Sequence, residues 1–131
     1  MELAIICLHD ICGIRVLNLV KIARDNWGIK KFKKIYIVGI KSLCKVIIKW
    51  AIDHEIECKS FVISTTKSPR IYSRCGQVIE IAAYSIIFIN ESDYILNRLV
   101  KTQHKRQYKT IVEFIVPLLT KREIIQQNII C

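Results

Sequence analysis

The sequence predicts an α/β protein. It would be a three-layer α/β/α sandwich around a five-stranded, mostly parallel sheet, ending in a short C-terminal helix. Three observations predict it. First, five apolar runs of strand length recur along the chain without polar alternation, as strands buried on both faces do. Second, the stretches between them carry apolar residues at helical spacing. Third, the two kinds of segment alternate strictly, which calls for right-handed crossovers onto a parallel sheet. The 131 residues suit a single domain spanning 1–131. A composition of 52% hydrophobic and 24% charged residues excludes wholesale disorder.

The first run is Leu3 to Leu8, broken by His9, Asp10 and Gly13. Ile14, Leu17, Val20 (with Leu19) and Ala23 then recur at helical spacing, with Arg15, Asn18, Lys21 and Arg24 on the other side. Gly28 stops that helix after Trp27. A basic connection, Lys30 to Lys34, leads into a second strand, Ile35 to Ile40. Ser42 is placed to cap a helix running to about His54, which carries Leu43, Val46, Ile47, Trp50 and Ala51 inward. Lys41, Lys45 and Lys49 line its outer side. Glu57 to Ser64 reads as strand three, and Ser68-Pro69 as a capped start for helix three. Tyr84 to Ile89 is strand four. Ser92 precedes helix four, whose far end, Lys101 to Lys109, is strongly basic. Thr110 to Val116 is strand five, stopped by Pro117. Thr120 to Glu123 has capping-box spacing and opens a tail helix within 117–131. Its isoleucines predict docking on the sheet edge or, as the alternative, a homodimer contact.

Twenty-one Lys and Arg against 11 Asp and Glu give a net charge of +10. Such a surplus either solvates the surface or attracts polyanions. No export signal is legible, since Glu2 stands where a cationic region would be. No stretch reaches the roughly 18 apolar residues of a membrane span; Glu80, Glu113 and Pro117 interrupt the longest ones. A cytoplasmic location is the resulting expectation. The six cysteines, Cys7, Cys12, Cys44, Cys58, Cys75 and Cys131, show no Cys-x-x-Cys spacing. Buried structural thiols are expected, with a disulfide or a metal as lesser alternatives.

In such a sheet, ligands bind beyond the carboxyl ends of the strands, where the strand order reverses. Helix starts at Ser42, Ser68 and Ser92 would point backbone N–H groups at that rim, and Lys41, Arg70 and Arg74 would add positive charge. His9 and Asp10 stand on the first rim loop beside Cys7 and Cys12. A Cys–His nucleophile and base, or the start of a metal site, is conceivable there, but no second motif completes either. With 4 Gly, no Walker loop and no Gly-x-Gly-x-x-Gly fingerprint, a glycine-rich phosphate cradle is excluded. Trp27, Trp50 and the five Tyr do not cluster with the basic residues, apart from Tyr36 beside the lysine connection and Tyr108 near Lys109, which favours contact with phosphates over bases.

Ile37-Val38-Gly39 through Trp50-Ala51-Ile52-Asp53-His54-Glu55-Ile56-Glu57 to Phe61, then Arg70 to Arg74, Ala82-Ala83 and Ile86-Ile87-Phe88, resembles the SLOG superfamily. The likeness is to its small, YspA-like, Rossmann-type members, which show a helix closing in Trp-Ala and a "His-Gly-Ile"-like turn into strand three. The likeness covers about 80 residues. It implies a Rossmann-like fold and ligand contacts at Gly39, Ser42, Arg74 and Ser92. The chain departs from the family where Cys7-Leu8-His9-Asp10 replaces a Gly-Ser-Arg-like turn, where Ile40 follows Gly39, and where no glycine-rich turn follows strand four. Leu3 to Asp10, Arg15 to Ala23, Gly28-Ile29 and Ile35 to Val38 also resemble the opening of SPOUT-type RNA methyltransferases, although no Gly follows Gly76. The leading expectation is a non-catalytic or vestigial domain that binds a nucleotide or nucleic-acid phosphate, with no cofactor assigned. The alternatives are RNA methyl transfer, nucleotide N-glycosidic cleavage, or a basic protein-interaction module.

Overall fold

A computed structural model describes residues 1–64, 69–90, 92–104 and 110–115. The elements alternate as expected. They are β1 (Glu2–Cys7), α1 (Gly13–Trp27), β2 (Lys34–Gly39), α2 (Lys41–Asp53), β3 (Glu57–Val62), α3 (Pro69–Ile81), β4 (Tyr84–Ile89), α4 (Tyr94–His104) and β5 (Thr110–Ile115). All strand pairs are parallel, in the order β3-β2-β1-β4-β5. This is a Rossmann-like α/β fold. The expected tail helix, the homodimer contact through it, and Ser68 lie outside the described residues.

Alternate residues of β1 explain why its run is uniformly apolar. Leu3, Ile5 and Cys7 join Val16, Val20, Leu43 and Ile47 in a core beneath α1 and α2. Ala4, Ile6 and Leu8 join Cys75, Val78, Ile79, Leu96 and Val100 in a second core beneath α3 and α4. Each fully buried aliphatic side chain contributes about 1.5–3 kcal/mol. Trp27, Phe32 and Tyr84 meet ring to ring, with centroids 4.7–6.4 Å apart, and close the sheet at the amino ends of its strands. The edge strand β3 is the exception to uniform burial. It is half exposed, and Lys34 pairs across the ladder with its Glu57 at 3.3 Å.

Three sequence expectations need correction. The inward stripe of α1 is Val16, Val20 and Ala23, whereas Ile14 is exposed. Helix α2 begins at Lys41 on an Ile40 cap, so Ser42 sits in the first turn and is not the cap. Helix α4 is capped by Asp93, whose Oδ1 accepts from the Leu96 N–H at 3.2 Å, while the Ser92 hydroxyl donates to Asn90.

Candidate functional site

The parallel register sets Cys7 level with Gly39 and Phe88, and Gly39 level with Val62. The strand exits therefore share one edge. Strand order reverses between β1 and β4, so the loop after β1 and the loop after β4 flank the switch point.

The β1–β2 side is built by close packing. A Cβ on Gly39 would meet Leu43 Cδ2 at 2.8 Å and the Cys7 carbonyl at 3.1 Å, and one on Gly13 would meet Val46 Cγ2 at 2.8 Å. These glycines let the two helix starts press against the sheet and against each other. Gly39 is thus a packing residue behind the rim. Its carbonyl accepts from the Ile63 N–H at 2.9 Å and from the Cys44 thiol at 3.4 Å. The first intrahelical bond of α2 is Cys44 N–H to Ile40 C=O. The N–H groups of Lys41, Ser42 and Leu43 precede it and have no intrahelical partner. Among the described residues, no side-chain cap bond is made at Cys12 or Ile40, and neither α1 nor α2 carries an acid in its first turn. The side chains of Lys41 and Ser42 are exposed at this end, with Asp10 exposed on the adjoining loop and His9 half-buried.

The β4 side is closed to anions. Asp93 is buried, caps α4, and accepts from the Tyr72 hydroxyl at 3.1 Å. Burial first, and then the Asp93 charge, push Tyr72 up to about 12. The Asn90 amide oxygen is held by Ser92 through both its N–H (3.0 Å) and its hydroxyl (2.9 Å). A hollow of about 220 Å³ beside Tyr72, Ser92 and Asp93 has this carboxylate in its wall. Asp93 was missed in the sequence, although an Asp one residue before an apolar helical stretch is itself a capping signal.

The remaining predicted residues are dispersed. Arg70 is exposed in the first turn of α3. Arg74 stacks its guanidinium over Phe61 of β3 at 4.4 Å and donates to Gln77, so it faces the outer strand and not the switch point. Leu8 is buried in the second core, and Ile40 packs against both cores. Two aliphatic side chains at the carboxyl ends of β1 and β2 are thus turned into the cores. Cys7 is fully buried and donates to the His9 carbonyl at 3.5 Å. Burial raises the thiols of Cys44, Cys58 (to about 11) and Cys75 (to about 12), which keeps them protonated and unreactive. Among the described residues, no group of three His, Cys, Asp or Glu side chains is placed to hold a metal ion. No described helix is long and apolar enough to cross a membrane. Comparison with family models, curated proteins and solved structures finds no match for this chain.

Proposed function

We propose that this chain is a non-catalytic, SLOG-like domain that holds the phosphate of a nucleotide or nucleic acid at the carboxyl edge of its sheet, on the amino end of α2. One observation carries the reading. That helix opens at the rim with the N–H groups of Lys41, Ser42 and Leu43 unused by the helix, no side-chain cap among the described residues, no acid in its first turn, and the side chains of Lys41 and Ser42 exposed. Such a terminus favours an anion through its donors and the helix dipole together. The Ser42 hydroxyl and the Lys41 ammonium extend the same cradle, and the +10 charge draws polyanions toward it. Exposed Asp10 on the neighbouring loop is an acceptor suited to a sugar hydroxyl. The aliphatic plug of Leu8 and Ile40 keeps a base from entering the sheet, so recognition is of phosphate and sugar at the surface.

Thermal-shift measurements with mono- and dinucleotides test this. The melting temperature should rise with ligand in the parent protein, and the rise should vanish in Lys41→Glu. No rise at millimolar nucleotide, or the same rise in both proteins, overturns the reading.

A further inference from the structure

The outward face of α4 carries a second surface, which starts at the loop after β4 and runs away from the amino end of α2. Leu96, Val100 and Gln103 face inward and are buried. The opposite stripe is Tyr94, Arg98 and Lys101, at the i, i+4, i+7 spacing that lines residues along one side of a helix. With Asn97 they line a hollow of about 420 Å³. Tyr94 is 81% exposed, the most exposed large apolar side chain among the described residues. Neither α4 nor its first turn contains an acid on this face. A ring held in water beside two cations and an amide is a combination that folding alone does not require.

We propose that this stripe binds single-stranded nucleic acid, with an unpaired base stacked on the Tyr94 ring and the flanking phosphates on Arg98 and Lys101. Every base has a π-face, and aromatic stacking beside a basic track is the physical basis of sequence-tolerant single-strand binding. A helical rise of about 1.5 Å per residue places the Arg98 and Lys101 backbone positions about 6 and 10 Å along the axis from Tyr94. One nucleotide step, or at most two, spans that distance. The Asn97 Nδ2 donates to the Asn90 carbonyl at 3.2 Å, which leaves its amide oxygen as an acceptor for a base edge. A duplex has its bases stacked internally and gives Tyr94 nothing to cover, so the surface selects unpaired strands.

Fluorescence anisotropy with a labelled single-stranded oligonucleotide tests the proposal, using the full chain. Tyr94→Ala should weaken binding about tenfold, the scale of one lost base stack, while Tyr94→Phe keeps it. The pair Arg98→Glu and Lys101→Glu should remove the Tyr94-dependent part of strand binding, so that Tyr94→Ala has no further effect in that background. Inorganic polyphosphate should bind parent and Tyr94→Ala alike. These side chains are exposed, so circular dichroism of the variants should match the parent. The proposal is overturned if Tyr94→Ala binds the strand as the parent does, if duplex binds as tightly as single strand, or if the stripe variants lose only binding to anionic vesicles. The rim variant Lys41→Glu should leave the Tyr94 effect intact, which separates failure of this surface from failure of the rim.

Discussion

Glu55 holds a backbone conformation that its side chain disfavours. Its φ of 56° lies in the left-handed region, directly after α2, where the Ile56 N–H reaches back to the Ala51 carbonyl at 2.8 Å. A non-glycine residue there costs roughly 1–2 kcal/mol. Glu55→Gly relieves this strain but loosens the unfolded chain; urea denaturation should show a net gain of up to about 1 kcal/mol. Glu55→Val should lose about 1–2 kcal/mol by the same reasoning. The sequence gives no sign of this conformation, because a left-handed residue after a helix is ordinarily marked by Gly or Asn and here the position holds Glu. Gly39 behaves differently. Its conformation is ordinary strand, and what it lacks room for is a Cβ against Leu43 and the Cys7 carbonyl. Gly39→Ala should therefore cost about 1–3 kcal/mol, the scale of overpacking a core. Sequence alone pointed to Gly39 but not to this reason, because close approach of a helix and close approach of a phosphate both ask for glycine.

At the scale of elements, the alternation of strands and helices was legible because period and burial agree in each segment. Strand β4 matches its apolar run residue for residue, and α1 ends on Gly28 in the left-handed conformation at φ 71°. Faces and caps were less legible. Helix α1 has Ile14, Val16, Leu17, Leu19, Val20, Ile22 and Ala23 spread around it, so several stripes are apolar and only contact with α2 and the sheet selects Val16, Val20 and Ala23. Val20→Ala should cost about 1–3 kcal/mol. Ile22→Ala, at a position 55% exposed, should change stability by less than about 0.5 kcal/mol. Serines near helix starts misled for a related reason. A Ser in the first turn and a Ser at the cap read alike, and a single residue, Ile40, separates β2 from α2. The α4 stripe was missed because Tyr94, Arg98 and Lys101, four and three residues apart, do not adjoin along the chain and are brought to one side by the helical period.

For the whole molecule, protons held on three wholly or partly buried groups contribute stability that is lost in alkali. Cys58, Cys75 and Tyr72 are all held above their ordinary values of 9.0, 9.0 and 10.0, to about 11, 12 and 12, chiefly by burial. Between those ordinary and raised values the folded chain holds these protons more tightly than the unfolded one, so their contribution to stability is full below about pH 9 and falls as pH rises toward 12. Denaturant titrations at successive pH values should show this decline. In Tyr72→Phe it should be shallower above pH 10, because that proton no longer counts. On the same scale, a parallel sheet gathers every strand exit to one edge, and there the amino end of α2 has no side-chain cap among the described residues while that of α4 is capped by Asp93. The most direct measurement of the rim's role is a titration of isotopically labelled protein with a nucleoside monophosphate, followed by the backbone amide resonances. Saturable shifts centred on Lys41, Ser42 and Leu43, reversed by added salt, are predicted. Unmoved resonances at those three amides, in a protein whose other signals remain those of the folded state, would contradict the account.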